Sequence, residues 1–289
     1  MKLVFFGSPA GGATALRALV EAGFEVAAVY TRPDRPAGRS AVPQPTAVGR
    51  EAEALGLPVR TPGSWREEGA IAGLASWGAD AFVVVAYGRI LPGLVLAVPR
   101  LGVVNVHPSL LPRFRGPSPV QTAILEGETH TGVTIMLLDQ GMDMGPILAR
   151  SAPEPVRPGD TGGSLTARLF EIGARLLVRA LRDWEAGAIA PEPQDEAGAT
   201  VTRLLRREDG ALDWTESAAR LERQVRAYDP WPGAHTLWRG RNLKVLAARM
   251  APEAAGEAGV VTVRSGRPVV ATGAGGLKLV RVQLEGRRA

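Results

Sequence analysis

Asn105 and His107 stand two residues apart at the end of the apolar run 102–106, and Pro108-Ser109-Leu110-Leu111-Pro112 follows them. In an extended strand, residues two apart face the same side. An amide and an imidazole therefore come side by side, and both can donate hydrogen bonds to one developing oxyanion. Pro108 and Pro112 stiffen the loop that follows, which leaves its backbone available to hold a flat, polar ligand. A lone histidine at a strand end reads as structural; Asn105 beside it and this loop shift the reading to chemistry. A second group is Asp139-Gln140-Gly141-Met142-Asp143-Met144-Gly145-Pro146. Gly141 and Gly145 let the backbone turn sharply and approach a ligand closely. Asp143 at the tip is a candidate proton acceptor or orienter, although an aspartate in such a loop, taken alone, reads better as an Asx-turn.

Other chemistries fit poorly. The chain has no cysteine, which removes disulfides, thiolate nucleophiles and cysteine zinc sites. His107, His130 and His235 lack the spacing of a metal site, so no metal is expected. Ser8 and Ser109 are not in the G-x-S-x-G context of a nucleophilic serine. The turn Gly7-Ser8-Pro9-Ala10-Gly11-Gly12 invites a nucleotide reading, but Pro9 breaks G-x-G-x-x-G and Ala13 stands where a phosphate-binding loop needs lysine. A tight strand-to-helix turn is expected there, and a nicotinamide dehydrogenase is disfavoured.

The elements that must position these groups follow from periodicity. Residues 3–6, 25–30, 81–86, 102–106, 133–139 and 147–152 read as strands, and 13–22 and 161–186 as helices. Uninterrupted apolar runs of this length are strands buried on both faces, as in a parallel sheet covered by helices. The expected fold class is α/β: a doubly wound, mostly parallel, Rossmann-like sheet over residues 1–186. In such sheets ligands bind at the carboxyl ends of strands, which is where Asn105 and His107 lie. Residues 187–203 read as a linker, because Pro, Gly, Ala and acidic residues dominate 187–199. Residues 204–289 read as a second, smaller domain. Asp213 and Glu216 suggest a capping box opening a helix with Leu221, Val225 and Tyr228 on one face and Arg220, Arg223 and Arg226 on the other. The short β-type segments after it suggest an OB-like β-barrel.

The formal net charge is +5, and residues 191–289 carry 16 Lys+Arg against 12 Asp+Glu. The positive excess thus lies in the last third and suggests an acidic partner such as nucleic acid. A GC-rich compositional bias toward Arg, Ala, Gly and Pro explains it equally well. No apolar run is long enough to span a bilayer, and the first six residues are too short for the core of a signal peptide. No membrane association, a cytoplasmic location and a monomer are expected.

The stretch from Asn105 through Pro112 to Gly116 resembles the signature of the formyltransferases that use 10-formyltetrahydrofolate, and Gly141-Met142-Asp143-Met144-Gly145 matches their second motif. The likeness runs along nearly the whole chain. Within that family, Pro33-Asp34-Arg35-Pro36-Ala37-Gly38-Arg39 and Asp229-Pro230-Trp231-Pro232 point to the bacterial members that act on methionyl-initiator-tRNA for translation initiation. The resemblance implies that the first domain binds the folate co-substrate. The pteridine would lie near Gly88, Arg89, Ile90, Leu91 and the loop of Gly141, with Ser109, Leu110, Leu111 and Pro112 lining the site. The barrel domain would contact tRNA, with Arg220 and Arg223 as candidates. Loop 31–44 would reach the acceptor stem through Arg32, Arg35 and above all Arg39. A Pro/Gly-stiffened loop with three arginines can meet phosphates at little ordering cost. The implied reaction is direct attack of the amine on the formyl carbon. Asn105 and His107 would stabilise the oxyanion, and Asp143 would help remove the proton. Formylation of a small amine such as an amino-sugar nucleotide, formate release by hydrolysis, and an inactive RNA-binding relative remain as alternatives.

Overall fold

In the computed structural model, residues 1–36, 42–254 and 256–287 are described. The chain forms two compact units: residues 1–115, 132–154 and 166–201, and residues 116–131, 155–165 and 202–289. The expected division at 186 and 203 cuts the chain elsewhere. Residues 187–201, expected as linker, lie within the first unit. Residues 116–131, which follow the Asn105–Pro112 motif in the sequence, lie within the second.

The first unit is built on a seven-stranded sheet. Its strands are β1 (Lys2–Gly7), β2 (Glu25–Tyr30), β3 (Val59–Arg60), β4 (Ala81–Val85), β5 (Val103–His107), β6 (Thr134–Leu137) and β7 (Ile147–Arg150). The spatial order is β7-β6-β5-β4-β1-β2-β3. Strands β3, β2, β1, β4 and β5 run parallel. Strands β6 and β7 add an antiparallel edge. Leu3, Val4, Phe5 and Phe6 of β1 are all fully buried, as expected of a strand covered on both faces. The order reverses at β1, since β2 lies on one side of it and β4 on the other, so the crevice for a ligand opens at the carboxyl ends of the central strands.

Alternation along β5 assigns its two faces. Val103 joins the cluster of Phe6, Tyr30, Phe82 and Tyr87. Phe6 stacks on Tyr30 at 5.1 Å and meets Tyr87 edge-on at 5.5 Å. On the other face lies α6 (Gly162–Glu185). A Cβ on its Gly173 would fall 2.8 Å from Val106, and Phe170 of the same helix fills the space beside Gly11. Asn105 and His107 alternate with Val106, so they continue the Val103 face just beyond the aromatic core. The glycines of the first turn are spent on packing. A Cβ on Gly11 would lie 2.3 Å from the Phe170 ring, and one on Gly12 would lie 2.8 Å from Val48. Ser8 Oγ donates to the Tyr87 carbonyl at 3.0 Å. This is the tight turn into α1 (Ala10–Glu21) expected from the sequence.

The second unit is a curled half-barrel of five antiparallel strands: β8 (His235–Trp238), β9 (Arg241–Ala251), β10 (Val261–Arg264), β11 (Arg267–Ala271) and β12 (Gly276–Leu284), in the order β8-β9-β12-β11-β10. Register shifts between Val245 and Ala248 let β9 bend across the sheet. Helix α7 (Ala218–Ala227) packs Leu221 and Val225 against Val245, Ala248, Leu277 and Leu279. The expected capping box at Asp213 and Glu216 does not form. Ser217 is the N-cap and accepts from the Arg220 amide at 3.2 Å. Asp213 instead accepts from the Thr215 amide at 3.0 Å and its hydroxyl at 2.7 Å, which closes an Asx-turn ahead of the helix.

Candidate active site

His107 ends β5 and is 4% exposed. Its Nε2–H donates to the Phe114 carbonyl at 2.9 Å, because a carbonyl can only accept. Its Nδ1 faces Asp143 Oδ2 at 3.5 Å. Burial pushes the imidazole below its ordinary value of 6.5, while the Asp143 carboxylate and the Phe114 carbonyl pull the other way. A neutral ring with Nε2 committed presents the Nδ1 lone pair beside a carboxylate. The pair is therefore a proton acceptor that can take up one proton and release it again.

Asn105 shares the face of His107 and is 8% exposed, and among the described residues its side-chain amide has no hydrogen-bond partner. An amide that keeps some exposure and has no such partner is available to a ligand. With Nε2–H given to Phe114, the Asn105 amide can donate to an oxyanion, and His107 with Asp143 can take up a proton.

Asp143 sits on a turn that its neighbours dictate. The Asp139 carboxylate accepts from the Gly141 amide at 2.8 Å. Gly145 passes so close to β6 that a Cβ would lie 1.9 Å from the Leu137 carbonyl. Asp143 itself has φ +54°, and Phe114 has φ +62°. A left-handed conformation costs an L-residue about 1–2 kcal/mol. Both partners of the His107 ring are thus held in conformations that the surroundings must enforce.

The loop residues expected around the folate fall into two groups. Ser109 and Leu111 are buried and shape the loop: Ser109 Oγ donates to the Arg113 carbonyl at 2.6 Å, and Leu111 packs with Met136 and Ile147. Leu110 packs over Gly132, and Pro112 lies beside Gly198. Arg89 is tied to the carbonyls of Pro62 and Gly63, and Leu91 is anchored in the aromatic core. Gly88 has φ +77° and the Arg32 guanidinium lies against it. Ile90, at 88% exposed, and the exposed Met142 and Met144 offer apolar surface on the two loops expected near the pteridine. Exposed apolar side chains with loop backbone suit a flat heterocycle.

The arginines expected at tRNA are placed unequally. Arg32 and Arg35 are exposed. Arg35 pairs across a short hairpin with Gln44, and Arg39 lies outside the described residues. Arg220 and Arg223 have a structural task. Both donate to the Leu125 carbonyl, at 2.8 and 3.0 Å, and so cap the C-terminus of α5 (Pro119–Glu126) within the second unit. Among the described residues no group of three or more His, Asp or Glu side chains could hold a metal ion, and no helix is long and apolar enough to cross a membrane.

Sequence reasoning missed Phe114, Arg115, Gln194, Glu196 and Thr200. Gln194 donates to the Asp143 and Gly145 carbonyls at 2.8 and 2.7 Å. Thr200 Oγ1 accepts from the Phe114 amide at 2.8 Å. The β-branched run Thr200-Val201-Thr202 was the one signal of order in an otherwise linker-like segment.

The formyl transferase family matches residues 1–181, and the C-terminal domain of formyl transferases matches residues 204–289. The chain belongs to the formyl transferase family. A methionyl-tRNA formyltransferase of Roseiflexus sp. (strain RS-1) is 51% identical over 292 residues, which cover 100% of this chain and 89% of the relative. Two solved structures share the fold. WlaRD, a sugar 3N-formyl transferase in the presence of dTDP and 5-N-formyl-THF, superposes with TM-score 0.72 at 15% identity, covering 100% of this chain and 99% of that one. HypX from Aquifex aeolicus in complex with tetrahydrofolic acid superposes with TM-score 0.68 at 20% identity, covering 99% of this chain and 44% of that one.

Proposed function

We propose that this formyl transferase moves the formyl group of 10-formyltetrahydrofolate onto the free amine of methionyl-initiator-tRNA. The observation that carries this reading is half-identity over the full chain to an enzyme named for that acceptor, together with an intact Asn105, His107 and Asp143 set. The neutral amine attacks the formyl carbon, and Asn105 donates to the oxygen that gains charge. The His107–Asp143 pair accepts the amine proton and passes one to the carrier nitrogen as its bond to the formyl carbon breaks.

The second unit supports the acceptor. Arg249 lies opposite Lys278 and Arg264 opposite Arg267 in the antiparallel ladder. Like charges directly opposite each other destabilise a sheet, and two such pairs on one sheet suit a polyanion. Arg32, Arg35 and Arg39 on the 31–44 loop add contacts to the acceptor stem. The 1–186 region is the folate-binding and catalytic part and 204–289 the tRNA-binding part. The enzyme works as a monomer in the cytoplasm, where charged tRNA and reduced folate occur.

The test is a formylation assay with 10-formyltetrahydrofolate as donor and three acceptors: charged initiator tRNA, glycinamide ribonucleotide and an amino-sugar nucleotide. Turnover on the tRNA at least a hundredfold above either small amine is expected, since the acceptor's phosphates supply most of the binding. Preference for a small amine, or formate release without transfer, would overturn the reading. Sedimentation of the free enzyme checks the monomer.

A further inference from the structure

We infer that the 192–200 segment is a strut for the active site, with Gln194 and Thr200 as positioning residues that set the two partners of the His107 ring. The inference rests on the formyl-transfer reading for its kinetic consequence, but its geometry stands within the first unit alone.

Among the described residues five that are not glycine have positive φ, and two of them are Asp143 and Phe114. These two flank His107, one at Nδ1 and one at Nε2. Each is tied to the same segment. The Gln194 amide donates to the Asp143 and Gly145 carbonyls at 2.8 and 2.7 Å, which clamps both ends of the turn that carries the Asp143 carboxylate. Gln194 Oε1 in turn accepts from Arg115 Nε at 3.0 Å. Arg115 is 3% exposed and completes its fork on Glu196, at 3.0 and 2.8 Å. On the other side, Thr200 Oγ1 accepts from the Phe114 amide at 2.8 Å, and the Thr200 carbonyl accepts from the Arg115 amide at 2.8 Å. Reciprocal backbone bonds between Ile147 and Glu192, both 2.8 Å, fasten the strut to the sheet edge.

The chemistry at position 194 is specific. The side chain must donate to two carbonyls and accept from a guanidinium at once, and an amide does both. A carboxylate keeps the bond to Arg115 but faces two carbonyls with no proton to give. A hydrocarbon of the same length does neither. Asp143 Oδ2 already stands 3.5 Å from Nδ1. Releasing its backbone lets the carboxylate drift, and misplacement of about 1 Å in a catalytic group can cost ~10²-fold in rate.

The test uses the full chain and the variants Gln194→Met, Gln194→Glu, Thr200→Val and Thr200→Ser. Gln194→Met and Gln194→Glu are each expected to lower kcat by about 10²-fold, with KM for both substrates within about twofold. Thr200→Val is expected to lower kcat, and Thr200→Ser, which keeps the hydroxyl, to restore it. The ring ¹⁵N resonances of His107, assigned by their absence in His107→Asn, should move in Gln194→Met and Thr200→Val but not in Thr200→Ser. Wild-type kcat and unmoved His107 resonances in Gln194→Met would overturn the inference. So would a loss of activity matched by the loss of folded protein, with the folded remainder turning over normally. If Gln194→Met does not fold, the Thr200 pair decides. Should the wild-type chain fail to formylate methionyl-tRNA, the functional reading falls, and the His107 resonances still judge the strut.

Discussion

Asn105 and His107 are carried by a strand, Asp143 by a loop. The strand end is paired in register on both sides, with a parallel neighbour at Val84–Asn105 and an antiparallel one at His107–Thr134. Their direction follows from alternation and needs no further support. The loop reaches the same imidazole by another route. It requires a glycine where a Cβ would strike Leu137, a left-handed aspartate, and a glutamine about fifty residues away holding its carbonyls. The same ring is thus served by rigid geometry on one side and by assembled geometry on the other. The strand gives position without strain. The loop brings a carboxylate to Nδ1 of the ring, and stores strain to do so.

The largest effect is expected on the strand. Asn105→Ala removes the donor proposed for the oxyanion and should cut kcat by ~10²–10³-fold, with thermal stability little changed because among the described residues the amide has no protein partner to lose. Near wild-type turnover would break the assignment. The loop should behave oppositely in stability. Asp143→Gly removes the carboxylate and relieves the left-handed strain, so kcat falls by about 10²-fold while the melting temperature holds or rises. A fall in both would mean that the carboxylate supports the fold rather than the chemistry.

The pH dependence sharpens the same contrast. His107 is held below its ordinary value of 6.5, so in acid the unfolded chain binds a proton that the folded one refuses. This share of the stability is complete above 6.5 and is lost as the pH falls below it toward the depressed folded value. Thermal melts at stepped pH should show that decline in the wild type and a shallower one in His107→Gln, and kcat should fall in the same direction. The smallest effect is expected in the second unit, whose like-charge pairs sit in ordinary strands. Lys278→Glu should stabilise the sheet by about 0.2–1 kcal/mol by pairing with Arg249. It should also lower the salt slope of tRNA binding by about one. An unchanged slope would remove Lys278 from the tRNA surface.

The sequence by itself determined six of the seven strands of the first sheet, all but Val59–Arg60, the shared face of Asn105 and His107 and the glycine-bounded loop of Asp143, because alternation, apolar runs and turn residues act over a few neighbours. It also carried the family, through motifs spread along the chain. Only the tertiary structure decided what those side chains meet. His107 Nε2–H goes to the Phe114 carbonyl, and Nδ1 faces Asp143. Arg220 and Arg223, plain basic residues on a helix face in the sequence, donate to the Leu125 carbonyl and cap α5. Residues 187–201 have the composition of a linker, yet Gln194 and Thr200 grip the two loops beside the histidine. The contacts of Gln194, Thr200, Arg220 and Arg223 join residues 49 to 98 positions apart and are made by single hydrogen bonds, which leave no periodicity and no compositional trace for local rules to detect.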